Sequence, residues 1–474
     1  MRATIDWSYE LLSAEEQTLW RWLSVFAGGW SLEAAEVVCA GMQIEPGRVL
    51  DLLTNLIDKS LVMVDQQATK ARYRFLETIR QYGVEKLSAS GERERVRALH
   101  FNWCLCLATR AEGESSKSAQ RLWFERLEAE RDNLRAALQW SLYELRDAER
   151  GLRLCVALWP FWHASGPLSE GRKWFDAALL VEGSAKASLR AKALHGASAL
   201  ASMHGDFEKA RAFLEQSLIL RREINDKLGV AHELQRLGII AYYTGDYRRA
   251  ATLQEESLTL CHELGDLHGI ARAIGGLGIL ALDQENYDQA TARFEECLKI
   301  YRQENHRLGI MGTLNNLGEA AQRRGDFDGA EKLLEESLML AQELGDKGWI
   351  ARSVHLLGQI ANDRGNYELA INLLTEALNI LREIGDAVVV HVLEGFACTA
   401  AGQRQMPRAF CLAEVADALR EATHMMRTPA EQSALDRYLK AATVRLSNLE
   451  IEQAKKKGRA MSLDQAVAYA LQAG

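Results

Sequence analysis

Leu237-Gly238-Ile239-Ile240-Ala241-Tyr242-Tyr243-Thr244-Gly245-Asp246-Tyr247-Arg248-Arg249-Ala250 is one copy of a pattern that returns through the middle of the chain without slipping. The Leu-Gly pair recurs at Leu277-Gly278, Leu317-Gly318 and Leu357-Gly358, a spacing of 40 each time. Seven residues after each glycine begins a turn that carries an aromatic and then an alanine: Glu285-Asn286-Tyr287 with Ala290, Gly325-Asp326-Phe327 with Ala330, and Gly365-Asn366-Tyr367 with Ala370. Gly205-Asp206-Phe207 with Ala210 is a further copy upstream. Four residues beyond the alanine stands Leu214, Phe294, Leu334 or Leu374, with Gln254 the polar exception. Self-similarity at a fixed period marks a solenoid.

Each unit reads as two antiparallel helices. Leu234, Leu237, Gly238 and Ala241 fall on one helical stripe. Gly245-Asp246 then ends the helix, glycine tolerating positive φ and aspartate capping the next helix. Gly238 and Ala250 are small enough for the two helices to approach closely, and Leu258 carries the second stripe to another break at Gly265-Asp266, repeated at Gly345-Asp346 and Gly385-Asp386. One such hairpin cannot bury its apolar face alone, whereas stacked neighbours can. These residues resemble the tetratricopeptide repeat family, in a longer variety of 40 residues, from Ala191 to Ile384.

The remaining composition narrows the class. Among 474 residues 48% are apolar and only five are proline, which suits a mostly helical protein. A net charge of −8 does not favour a nucleic acid as principal partner. The eight cysteines are scattered without zinc or redox spacing and read as buried free thiols of a reducing cytosol. No run approaches the ~18 apolar residues of a membrane helix, and the N-terminal residues do not begin a signal peptide. A cytoplasmic location without membrane partners is expected.

Residues 1–95 read as a winged helix. Ser13-Ala14-Glu15-Glu16 has capping-box spacing before a helix to Ala27. Ser31 caps a second helix through Ala40, and a third follows Pro46 with Val49, Leu50, Leu53, Leu56 and Ile57. Leu61 to Val64 and Tyr73 to Phe75 form a β-hairpin around a polar turn, and a last helix runs from Glu77 to Ser88. The third helix would enter a DNA groove in a reader of that type. Yet residues 1–95 hold 11 Lys/Arg against 14 Asp/Glu, a poor complement to phosphates.

A second resemblance covers nearly the whole chain. Asp6-Trp7-Ser8-Tyr9, the string from Phe26 to Ala35, the string from Arg74 to Tyr82, the string from Leu127 to Leu138 and Gly458 to Ala468 are similar to the winged-helix and repeat portion of bacterial STAND signal-transduction ATPases. That resemblance implies an internal clamp downstream of a P-loop nucleotide-binding domain and upstream of a repeat sensor. Two departures qualify it. The chain has no Gly-Lys dipeptide, so no P-loop is present and no cofactor is expected here; ATP or ADP belongs to the upstream domain that the resemblance implies. Since Met1 precedes a segment internal in that family, the chain is expected to be the C-terminal portion of a larger protein. At the positions of the family's Met-His-Asp string stand Phe75, Leu76 and Glu77, so its histidine contact to nucleotide is not carried over.

Four segments follow: a winged helix at 1–95, a helical bridge with a divergent first repeat at 96–190, regular repeats at 191–390, and divergent helical repeats with a cap at 391–474. The bridge is expected to hold helices over Arg97–Ala111, Leu122–Leu145 and Gly151–Ser165, with Trp159, Phe161, Trp162 and Trp174 as a capping core. In the last segment Val388–Ala401 and Arg408–Thr423 pair, Pro429 begins a long helix through Lys455, and Ser462 caps Leu463–Leu471.

A solenoid presents the first helix of each pair on its concave side, and positions that vary between copies can carry recognition. Counted from the Leu-Gly glycine, the candidates are Lys192, His232, Arg272 and Arg352 six before, His195, Gln235, Asn315 and His355 three before, Glu319 and Gln359 one after, and Tyr242 and Asn362 four after. Together they make a groove suited to carboxylates, phosphates or a peptide backbone, because arginine grips such anions with two parallel hydrogen bonds. Catalysis finds no footing. His232-Glu233 and His262-Glu263 lack a second histidine four residues on, and the recurring Glu255-Glu256 and Glu335-Glu336 fall on outer helices. The expected function is a sensor and transducer that binds a protein, peptide or small-molecule inducer and is coupled in cis to a nucleotide-binding domain. The competing readings are a stand-alone adaptor and a DNA-binding transcription factor.

Overall fold

The computed structural model describes residues 2–39, 44–65, 71–112, 117–164, 168–183, 185–384, 388–423, 425–443 and 446–472. Among the described residues the fold is helical apart from one small sheet. It divides into two compact units, Met1–Ala197 and Ser198–Gly474. The segments 1–95 and 96–190 therefore lie in one compact unit, and its boundary falls inside the helix Ala187–Met203.

In the first unit, helices Ala14–Leu23, Leu32–Cys39 and Val49–Asp58 pack with Glu77–Ala89 around Trp20, Trp22, Phe26 and Trp30. Ser13 caps Ala14–Leu23 through a reciprocal capping box with Glu16. That helix stops at Leu23 rather than Ala27, because Ser24 to Phe26 turn back on carbonyls three residues earlier. A helix at Arg2–Glu10, absent from the expectation, precedes it. The wing gains a third strand: Trp30–Ser31 and Met63–Asp65 flank Arg72–Arg74, all antiparallel. Residues 66–70 of the expected polar turn lie outside the described residues. Gly83 is required because a Cβ there would lie 3.0 Å from the Trp20 ring.

The bridge holds Arg93–Glu112, Lys117–Ala129 and Arg131–Gln139, the last running into a wider turn at Trp140–Glu144, then Ala148–Ala164 and Leu168–Leu180. The expected single helix over Leu122–Leu145 is thus broken near Glu130. Phe161, Trp162 and Trp174 are buried, and Trp162 meets Phe175 edge-on at 5.9 Å. They form core of the first unit.

The second unit stacks helix pairs. Lys227–Tyr243 with Tyr247–Leu264, Leu267–Asp283 with Tyr287–Gln303, Arg307–Arg324 with Phe327–Leu344, and Lys347–Asp363 with Tyr367–Ile384 follow Phe207–Glu223. Gly245 and Gly325 adopt positive φ, and Asp246 and Asp326 accept the backbone N–H three residues on. The break at 385–387 lies outside the described residues. The repeat register has a steric cause. A Cβ at Gly278 would meet Phe294 at 2.6 Å, and one at Gly318 would meet Leu334 at 2.7 Å, so the glycine receives the large residue of its own second helix. At Gly238 the same place is taken by Gln254, whose Nε2 donates to the Gln235 carbonyl at 3.2 Å. First helices of successive pairs contact one another directly, while second helices scarcely touch, so the first helices form the inner wall.

Val389–Gly402 and Met406–Thr423 continue the stack. The helix expected from Pro429 to Lys455 is two, Pro429–Thr443 and Asn448–Arg459. Ser447 and Glu450 form a capping box that restarts the second.

Candidate ligand-binding wall and the winged-helix clamp

The inner wall departs from expectation at four of its predicted residues. Gln235, Asn315, His355 and Asn362 are 1%, 4%, 7% and 3% exposed, so they are not groove side chains. The three amides among them staple successive first helices. Gln235 Nε2 donates to the Gly269 carbonyl at 2.7 Å, Asn315 Nδ2 to Ser353 Oγ at 2.6 Å, and Asn362 Nδ2 to the Gly395 carbonyl at 3.2 Å. His355 is held neutral by burial, its pKa lowered to about 3. The predicted positions six before and one after the glycine stay half-buried at His232, Arg272, Arg352, Glu319 and Gln359, and the position five after adds Tyr243, Asp283 and Arg323. The position two before packs against the preceding pair: Leu356 is core with Leu334, and a Cβ at Gly276 would meet Gln254 at 2.7 Å.

Along these first helices the charges fall into two states. Asp283 accepts from Tyr242 Oη at 2.6 Å and from Arg323 Nη1 at 2.8 Å, and Arg323 also reaches Glu319 at 2.5 Å. Burial raises the Asp283 carboxyl, though Arg323 opposes it. Burial lifts the Tyr242 phenol, with Asp283 adding to the effect. Gln359 is half-buried, and the Arg352 guanidinium lies over the Trp349 ring at 5.3 Å. Arg236 and Arg272, in contrast, have no carboxylate within ion-pairing distance among the described residues. Burial, together with the like charge of Arg272, pulls Arg236 down to about 10. Burial lowers Arg272 as well. Lys192 and His195 belong to the first unit, where Lys192 is exposed and His195 meets Trp159 edge-on at 6.4 Å.

The C-terminal helices add an internal charge network. Arg420 grips Glu394 with two bonds of 2.8 and 3.0 Å, and Arg427 reaches the same carboxylate at 2.7 Å. His391 Nδ1 lies 3.2 Å from Glu431. This network holds the link after Met406–Thr423 against the start of the array, where the Met426 N–H donates to the Tyr243 carbonyl at 2.8 Å. Tyr438 Oη donates to Asp363 at 2.8 Å.

In the first unit the cations around the third helix of the winged domain are engaged: Arg48 with Glu15 at 3.1 Å, Lys59 with Glu16 at 2.6 Å, and Arg72 with Glu130 at 2.5 Å. Two strings that the sequence shows far apart meet here. Asn133 Oδ1 accepts the Ala27 N–H at 2.7 Å, and its Nδ2 donates to the Gly29 carbonyl at 2.8 Å and to Glu130 at 2.7 Å. Gly28 and Gly29 have φ of 75° and 120°, and a Cβ on Gly28 would lie 2.7 Å from Asp132. Asn133 is buried, with His100 Nε2 3.3 Å away, and burial lowers the His100 pKa to about 4. Of the eight thiols, six are buried, Cys398 is intermediate and Cys106 is exposed, a departure from the expectation that all are buried. Glu256 and Glu336 pair on the outer helices with Arg222 and Arg302. No helix among the described residues is long and apolar enough to cross a membrane.

Comparison with known proteins agrees with this geometry. A family profile described as a winged helix-turn-helix domain matches residues 12–88, and one described as tetratricopeptide repeat matches 230–303 and 309–383. A Mycobacterium tuberculosis protein named "Putative HTH-type transcriptional regulator" is 37% identical over 251 residues, covering 51% of this chain and 28% of the relative. The chain thus spans about a quarter of the length of the curated relatives it matches. An uncharacterised protein of the same organism is 43% identical over 97 residues, 20% of this chain and 25% of the relative. Among solved structures, a Rap protein complexed with competence and sporulation factor superposes with a TM-score of 0.50 at 14% identity, covering 76% of this chain and 98% of that one. A STAND protein with a tetratricopeptide repeat sensor from Pyrococcus horikoshii has a TM-score of 0.43 at 14% identity over 95% of this chain and 66% of that one. The chain is a winged helix-turn-helix protein whose second part is a tetratricopeptide-repeat solenoid.

Proposed function

We propose that this chain is the sensor and transducer portion of a STAND-type regulatory ATPase. The solenoid receives a protein or peptide ligand along its inner wall. The winged helix passes the resulting state to a nucleotide-binding domain upstream, which supplies ATP or ADP binding. The observation that carries the reading is the Asn133 clamp. It ties the Ala27–Gly29 turn to the helical bridge, and Arg72 of the wing is paired with Glu130 beside it, while Arg74 on the same strand is exposed. A winged domain so committed suits relay of a conformational state better than reading a duplex. The name of the mycobacterial relative, an HTH-type transcriptional regulator, supports a regulatory role. Ligand binding shifts such a switch only through different affinities for its two arrangements.

Catalysis is no part of this proposal. The test is the coding sequence immediately upstream of Met1. An in-frame segment with a P-loop is the expected result, and an upstream stop codon with its own ribosome site contradicts the reading. Duplex titration separates the DNA alternative: the chain is expected to give no change in fluorescence anisotropy with duplex at low salt, where phosphate contacts are strongest.

A further inference from the structure

Beside the Asn133 clamp, the joint between the winged domain and the helical bridge holds a cavity of about 90 Å³. That is more room than a single water needs. Ser24 and Ala27 reach it from the turn after Ala14–Leu23, Arg80 from Glu77–Ala89, Arg93 and Arg97 from Arg93–Glu112, and Ala136 from Arg131–Gln139, the helix that carries Asn133. Its lining has three guanidinium groups and no carboxylate. His100, the other titratable side chain there, is held neutral by burial.

The carboxylates that serve these arginines stand outside the lining and are fewer than the cations. Exposed Glu77 takes Arg80 Nε and Nη2 at 2.8 and 2.7 Å, which leaves Arg80 Nη1 only a long contact of 3.5 Å to the Ser24 carbonyl. Arg93 and Arg97 share one oxygen of Glu144: Arg93 Nη2 donates to Oε2 at 3.0 Å, and Arg97 Nη1 donates to the same atom. Arg93 Nε is buried and has no acceptor among the described residues. Water would satisfy such donors but would not offset the excess of positive charge, whereas an anion with several oxygens does both. A carboxylate presents its two oxygens along one edge. Here the donors arrive from two helices, which suits a tetrahedral guest better. We propose that Arg80, Arg93 and Arg97 hold a tetrahedral oxyanion, inorganic phosphate or the phosphoryl group of a small phosphomonoester, between the winged domain and the bridge. Ala27 belongs to both features, since its N–H is bound by Asn133 and it lines the cavity. An occupied cavity therefore adds a second tie at the joint that Asn133 clamps. This inference does not depend on what the solenoid binds.

The test is isothermal titration calorimetry of the full chain in phosphate-free buffer, with sodium phosphate, phenyl phosphate and sodium chloride at matched ionic strength. A saturable heat is expected with phosphate and none with chloride. Arg93→Gln is expected to weaken phosphate binding about tenfold. Ala136→Leu keeps every charge but narrows the cavity, and a loss of about tenfold or more is expected there too. Circular dichroism checks that both variants keep their helicity, and Arg80→Gln, whose partner Glu77 is exposed, replaces either one that does not. Phenyl phosphate binding as tightly as phosphate supports a phosphomonoester as the guest, and binding of phosphate alone supports the free anion. No saturable heat with either phosphate probe, or equal affinities in the unchanged protein and the folded variants, overturns the site.

Discussion

Arg420 and Arg236 are both arginines held against the repeat array, and they are there for opposite reasons. Arg420 is 5% exposed and surrounded by Glu394, Glu431 and the Met426 carbonyl, so every charge it brings into the interior is met. Arg236 has burial without neutralisation. A paired buried arginine is architecture, because removing one partner strands the other. An unpaired one brings a desolvation cost that no partner offsets. In the winged domain Arg72 falls on the architectural side of this contrast, paired with buried Glu130.

The contrast breaks most visibly at Glu394. Glu394→Ala leaves Arg420 and Arg427 without their shared carboxylate and is expected to cost about 3–5 kcal/mol in urea unfolding. A loss below about 1 kcal/mol would mean that the network is not architectural. Asn133→Ala comes next. It strands the Ala27 N–H and the Gly29 carbonyl, and a cost of about 2–3 kcal/mol is expected from unsatisfied buried groups. The loss should be read on the unfolding of the first unit, and Asn133→Asp should restore only the accepting half.

Between pH 6.5 and 5 a smaller effect, at most about 2 kcal/mol, comes from His355. Its folded pKa is about 3, while the unfolded chain titrates near 6.5, so the unfolded state binds more protons between these values. Its contribution is therefore fully present above about 6.5 and is lost as pH falls towards 3, by up to about 1.4 kcal/mol per pH unit. Lowered carboxyls at Glu394 and Glu431 act in the same direction at more acid pH. His355→Asn is expected to flatten the fall in unfolding midpoint between pH 6.5 and 5, and an unchanged slope would assign that fall to other groups.

The solenoid was legible because its cause is local and repeated. The glycine that admits Phe294 or Leu334 must recur at the period of the packing, so a single chain displays it four times. The wall was legible in part. The polarity of Gln235 and Asn315 suggested solvent, yet their amides serve the backbone and hydroxyls of the next repeat. The Asn133 clamp was invisible for another reason. Both strings were conspicuous, but 104 residues separate Asn133 from Gly29, and no periodicity reports a contact across such a distance. The C-terminal break escaped because Ser447 and Glu450 form a capping box inside a stretch that otherwise reads as continuous helix.

The most direct measurement sets Arg236→Gln beside Arg420→Gln in the same urea unfolding experiment. The account predicts that Arg420→Gln loses about 3 kcal/mol or more, while Arg236→Gln stays within about 1 kcal/mol of the unchanged protein or gains stability. Equal losses at both positions would contradict it, because Arg236 would then be another piece of architecture.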